Sequence, residues 1–163
     1  MKDKILEAFK KLGFKLEYIE GAGYSFFYEG TGYLWSYNEE DENFFNISIP
    51  SVYEFEDDKI AQNCALMFKV NCTMKYVKAY YVGRALWLSY EREVFGDEDF
   101  TKLIPPMVLH LDASLKYTRD AISDIENMVD EEDEAGDDVS DEDEENDGDC
   151  FSEVTDEDEN NEK

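Results

Sequence analysis

The sequence predicts an α+β domain, an antiparallel sheet with helices packed on it, followed by a strongly acidic disordered tail. Three observations predict it. Within the first 129 residues, apolar side chains recur every three or four positions in three stretches and every second position between them. Short glycine-containing links separate the alternating runs, as antiparallel hairpins require. Charge is divided unevenly: positions 130–163 hold 20 Asp and Glu against one Lys, a net −19, whereas residues 1–129 hold 22 acids and 14 bases. Most of the total of −27 therefore belongs to the tail.

Ile5, Leu6, Phe9 and Leu12 give the first helix one apolar face, with Asp3 as its expected N-cap and Gly13 placed to end it in a left-handed cap. The period then changes to two. A strand begins at Leu16 and Tyr18, reaching toward Glu20, and Tyr24–Glu29, Tyr33–Asn38 and Phe44–Ile49 follow, separated by Gly21 and Gly23, by Gly30–Thr31–Gly32 and by Glu39–Asn43. Pro50, which has no amide to donate, is expected to close the last of these. Asp57 and Asp58 can cap a second helix, whose expected apolar spacing is Ile60, Cys64, Met67, Phe68 and Asn71. Lys75–Val82 and Leu86–Val94 read as a hairpin joined at Gly83–Arg84. From Asp97 onward Phe100, Ile104, Met107, Leu111, Leu115, Thr118, Ile122 and Ile125 keep helical steps. Pro105 and Pro106 predict a kink there, or a short helix and then a longer one. The order is α-β-β-β-β-α-β-β-α over a domain 1–129, with a tail 130–163.

The tail has Phe151 as its one aromatic residue and Val139 and Val154 as its branched aliphatics, too little apolar surface to offset the entropy of ordering it. Met1–Lys2–Asp3–Lys4 leads into an amphipathic stretch without the apolar run of a secretory signal, and no uncharged run approaches the ~20 residues that span a bilayer. The expectation is a cytoplasmic protein with no membrane partner. Its negative charge repels phosphate backbones, so no direct nucleic-acid contact is expected.

Candidate chemistry is sparse. His110 is the one histidine, with Asp112 two positions on and hence on another helix face, so a surface or packed role is expected. Cys64 and Cys72 are expected as buried thiols, and with Cys150 in the tail they form neither a disulfide framework nor a zinc ligand set. Asp143, Glu145, Asp147 and Gly148 match the start of a calcium loop, but Val154 occupies the place of its bidentate Glu. The glycines at 21, 23, 30 and 32 lack the G-K-[ST] of a phosphate cradle and suit turns. No catalytic residue, metal site or cofactor is expected.

The aromatic residues stand out. Tyr24, Phe26, Tyr28, Tyr33, Trp35 and Tyr37 alternate with Ser25, Phe27, Glu29, Leu34, Ser36 and Asn38, so both sheet faces carry large side chains. Helices drawn from a chain this short do not cover both. The first six are the expected protein-binding residues, since Tyr and Trp offer stiff contact area with a polar handle.

Residues 1–126 resemble the type III secretion chaperone-like superfamily and, within it, the YbjN family, described as candidate bacterial sensory transduction regulators. The likeness lies in the leading amphipathic helix, the meander ending in Phe44, Asn46–Ile47–Ser48–Ile49 and Pro50, the helix with Ile60 and Asn63–Cys64, and the hairpin Lys75–Ala79 to Leu86–Tyr90 before a long helix through Leu111 and Leu115. The resemblance implies a non-enzymatic fold that often forms homodimers and holds extended segments of partner proteins. The expected function is a protein-binding or regulatory module acting through an aromatic sheet face or the last helix. The alternative is electrostatic, the tail mimicking nucleic acid or shielding a basic partner.

Overall fold

A computed structural model describes residues 1–135, with side-chain environments as far as Ile125. The elements are α1 (Lys2–Lys11), β1 (Glu17–Ile19), β2 (Gly23–Tyr28), β3 (Thr31–Trp35), β4 (Phe44–Glu54), α2 (Ile60–Thr73), β5 (Val77–Val82), β6 (Ala85–Glu93) and α3 (Phe100–Ala135), in the expected order. The strands form one antiparallel sheet in the order β1-β2-β3-β4-β6-β5. β1 to β4 are a meander. α2 then carries the chain to the far edge, so that β6 returns between β5 and β4.

The helix α1 ends as its sequence dictates. Gly13 adopts φ +84°, and the amides of Gly13 and Phe14 donate to Lys10 O and Phe9 O at 3.1 and 3.0 Å, which closes the last turn. Its start differs from expectation: Met1 is the N-cap, and Asp3 lies in the first turn, where its charge meets the positive end of the helix. The β2–β3 turn places Glu29 and Gly30 both at positive φ, the backbone of a two-residue type I′ hairpin.

Pro50 does not end β4. The strand runs on to Glu54, and the register with β6 slips between Ile49 and Tyr53, a bulge at which Ser51 takes φ +52°. A proline is accommodated in a bulge because the amide it lacks has no ladder partner there.

The second helix shows two corrections. Its N-cap is Lys59, not Asp57 or Asp58, and the buried line is Asn63, Leu66 and Val70. Of the expected line Met67 alone packs against the core, while Ile60, Cys64 and Phe68 are exposed; Cys72 is exposed as well, so neither thiol is buried. Asn63 takes the inner position because its amide is satisfied there, donating to Glu56 O at 3.1 Å.

Asn71, at the end of α2, closes the sheet edge. Its amide nitrogen donates to Ala79 O at 3.0 Å and its amide oxygen accepts from Ala79 N–H at 2.8 Å, the pair of bonds a neighbouring strand would make. Asn71→Ala is expected to cost about 1–2 kcal/mol, to speed hydrogen exchange at the Ala79 amide, and to promote concentration-dependent association through the opened edge. Unchanged exchange at Ala79 would show that the side chain does not guard this edge.

α3 passes through Pro105 and Pro106 as one helix, rather than as a short helix and a longer one. The prolines fall in its second turn, where two amide donors are lost, and Asp99 caps the end before them by accepting from Thr101 N–H and Oγ1 at 3.1 and 2.6 Å. Ile104, Met107, Val108 and Leu111 are buried on either side of the prolines and hold the helix down. The expected apolar line is the observed one: Phe100 through Thr118 are buried at every named step, and Ile122 and Ile125 pack against the core. α3 continues to Ala135, six residues past the expected domain end. The remainder of the tail, with Cys150 and the calcium-loop-like run, lies outside the described residues.

Candidate functional site

The strand registers divide the sheet into two unlike faces. On one, Tyr24, Phe26, Tyr33, Trp35, Phe45, Ile47, Ile49, Leu86 and Leu88 meet the helices. Phe9 of α1 lies 5.0 Å from Phe26 and 5.8 Å from Trp35, Phe100 of α3 lies 5.7 Å from Phe45, and α2 closes over Val77 and Ala79.

Five of the six rings expected to bind a partner lie on this covered face by register, and Tyr37, two residues past the end of β3, also lines a groove over the β3–β4 region. Phe26, Tyr33 and Trp35 are buried, each about 1% exposed, while Tyr24, Tyr28 and Tyr37 sit half-buried at the margins of the same aromatic cluster. Phe26, Tyr33 and Trp35 therefore have no surface to offer a partner in this fold. The physical reason is the face that α1 chose: its Phe9 stacks into this row of rings and removes it from water. Tyr33 Oη is buried without a hydrogen-bond partner among the described residues, and burial raises its pKa. Burial, then the Tyr37 hydroxyl's 2.9 Å bond to Glu42 Oε1, pushes Tyr37 up to about 12.

The opposite face has no helix over it among the described residues. At one level across the strands the registers align Ser25, Leu34, Ser48, Ser89 and Lys78. The two central serines are buried, with their hydroxyls 3.1 Å apart, because short side chains lie below the level of longer neighbours. Larger apolar groups surround this low floor. Phe27 is 71% exposed and Phe44 42%, with Ile19 and Val82 at the sheet edges. Trp87 and Tyr80 pair across β6 and β5 and are half-buried.

A groove of about 400 Å³ runs over the β3–β4 region, with Leu34, Phe44 and Trp87 as its apolar walls and Asp41 and Asn46 as polar ones. A second depression, of about 510 Å³, shares Phe44 and Asn46 with it and extends to Tyr80 and Asn71. Together they make a shallow trough across the middle of the sheet. Apolar area flanked by polar groups is the anatomy of a protein contact.

Charge on this face is lopsided. Glu17, Glu54, Glu91 and Glu93 project from it by register and Asp41 lines the groove, against Lys78 alone among the described residues. Lys78 is already engaged: it pairs with Glu91, and that hydrogen bond holds its ammonium above the usual lysine range. Glu17, Glu54, Asp41 and Glu93 make no ion pair among the described residues.

Other sequence candidates are dispersed. His110 is half-buried between the rings of Tyr76 and Tyr90, at 5.2 and 5.9 Å, on the helix side of the molecule, and its imidazole has no carboxylate partner among the described residues. Gly21, Gly23 and Gly30 take positive φ in or beside hairpin turns. Among the described residues no three His, Cys, Asp or Glu side chains gather as a metal site, and no helix is long and apolar enough to cross a membrane. The open-face residues Phe44, Trp87 and Tyr80 were not singled out by the sequence. Trp87 and Tyr80 carried a signal in the alternation of β6 and β5, where each shares its register with charged residues, Glu91 and Glu93 in β6 and Lys78 in β5, the mark of a side that faces water.

No protein-family model and no curated protein matches the chain. Among solved structures, that of YbjN from E. coli, described as a candidate transcription regulator, is similar with a TM-score of 0.52 at 11% identity, over 69% of this chain and 86% of that one. At that identity the likeness is one of architecture. The chain has a YbjN-like fold; its own six-stranded antiparallel sheet has helices over one side and none over the other among the described residues.

Proposed function

We propose that this chain is a non-enzymatic protein-binding or regulatory module that docks a partner protein on the helix-free face of its sheet. One observation carries the reading: Phe27, Phe44 and Trp87 stand on a sheet face that no described element covers. The last helix is a weaker docking surface, because its apolar line is spent on the core and Leu109 is the large apolar side chain it leaves exposed among the described residues. A regulatory role accords with the description of the structurally similar YbjN.

The test is a double variant. Phe27→Ser with Phe44→Ser removes two exposed rings, so its thermal unfolding is expected to stay within about 0.5 kcal/mol of the parent per site. Partners that crosslink to the full chain in its native cell should be lost, by about tenfold or more in affinity once isolated. Light scattering on the same pair shows whether the partner is a second copy of the chain. Retention of every partner by the double variant would remove the sheet face from consideration.

A second reading follows from the charge of −19 in positions 130–163, that the tail shields or mimics a polyanion toward a basic partner. Truncation after Ala135 leaves α3 intact and separates the two readings. An unchanged affinity and salt slope for a basic partner would eliminate the tail.

A further inference from the structure

We infer that the occupant of the open face is a basic amphipathic protein segment, apolar side chains flanked by Lys or Arg. The inference rests on the docking reading above and adds the chemistry of the partner.

The groove has a definite polarity. Its floor and walls at Leu34, Phe44 and Trp87 are apolar and accept one or two aliphatic or aromatic side chains. Asp41 lies in the same groove, and Glu93 is the cross-strand partner of Phe44, so carboxylates flank that apolar ring in both directions. Lys78, the one cation that projects from this face among the described residues, is already tied to Glu91. An acidic or neutral segment would bring apolar groups to the floor but leave these carboxylates opposed or unpaired. A segment with Lys or Arg beside its apolar residues satisfies both.

The rest of the chain acts in the same direction. With a net charge of −27, its field attracts cationic segments to all sides of the molecule and repels anionic lipid and nucleic acid. Selectivity for this face then comes from the apolar floor, while the tail contributes attraction that any cationic peptide shares.

Three synthetic peptides of equal length test this against the full chain: one with Leu and Phe flanked by Lys, one with the Lys replaced by Glu, and one with the Leu and Phe replaced by Ser. Amide and indole NMR shifts at Leu34, Asn46 and Trp87 report on the groove, and titrations at several salt concentrations report affinity. The Lys–Leu/Phe peptide is expected to shift these signals and to bind about tenfold more tightly than either control. Asp41→Asn with Glu93→Gln should weaken it about fivefold and flatten its salt dependence, while Phe44→Ser weakens it with the salt slope retained. Equal binding of the Glu peptide at the same groove signals would overturn the basic partner and leave the docking face standing. Groove signals unmoved by the Lys–Leu/Phe peptide overturn the proposal, and if the Glu peptide leaves them unmoved as well, the docking face falls with it. Binding of the Ser control as tight as the Lys–Leu/Phe peptide assigns the attraction to diffuse charge and also overturns the proposal.

Discussion

Gly23→Ala is expected to destabilise the protein by on the order of 4 kcal/mol, a large share of the ~5–15 kcal/mol that holds a domain together. Gly23 is buried at the start of β2, with φ +125°, a backbone conformation that L residues rarely adopt. A Cβ built there would lie 2.2 Å from Trp35 O and 3.0 Å from both Ser36 Cα and Tyr37 N. All three are backbone atoms of the adjoining chain, so relief requires β2 and β3 to separate, and Trp35 is held in place by stacking on Tyr24 and Phe9. Thermal unfolding should fall by more than about 10 °C. Gly30→Ala is the control. Its φ of +81° carries a similar backbone penalty, but its new Cβ meets nothing within 4 Å, so the loss should stay near about 1 kcal/mol. Equal losses at the two sites would mean that the close approach of β2 to Trp35 is not what fixes Gly23.

Phe9→Ala is expected to cost about 4 kcal/mol, the range for deleting a fully buried ring that leaves a cavity. Phe9 has no exposed surface and touches three rings, Phe14, Phe26 and Trp35, at 5.8, 5.0 and 5.8 Å. It is the residue through which α1 covers the aromatic end of the sheet. Its loss should loosen α1, red-shift the emission of Trp35 and lower the denaturant midpoint with little change in slope. Phe27→Ala, the removal of a ring from the opposite face, should change stability by no more than about 0.5 kcal/mol, because that ring is 71% exposed. The contrast between the two phenylalanines is a direct reading of which side of the sheet is covered. A large loss at Phe27 and a small one at Phe9 would invert the assignment of faces.

Much of the architecture was legible because its signals are local. The stop at Gly13 needs only a residue tolerant of positive φ after an apolar helix, and the turn at Gly30 needs only the same at a hairpin. The line from Phe100 to Ile125 in α3 repeats so regularly that two prolines did not hide it. They misled about continuity, because the buried Ile104, Met107, Val108 and Leu111 hold the helix to the core across the lost amides. Pro50 misled in the same way: a bulge absorbed what a regular strand could not.

Where two apolar lines compete within one element, the sequence had no means of ranking them. α2 offers Ile60, Cys64, Met67, Phe68 and Asn71 and also Asn63, Leu66 and Val70, and the second line lies inward, with the Asn63 amide satisfied by Glu56 O and Met67 of the first packed beside it. The same ambiguity displaced the candidate site. β2 and β3 carry large side chains on both sides, and the richer row, the six rings from Tyr24 to Tyr37, was expected to bind a partner. Phe26, Tyr33 and Trp35 became core instead, while Tyr24, Tyr28 and Tyr37 stayed half-buried at its margin.

The sequence by itself determined the kinds and order of the elements, the hairpin turns and the concentration of charge beyond residue 130, since each depends on backbone preferences and composition within a few residues. Only the tertiary structure decided which sheet face is bare and which helix line points inward. Those outcomes depend on where α1, α2 and α3 come to rest together, because an apolar side chain leaves water equally well against any surface that fits it, and the choice among surfaces is made by all of the packing at once.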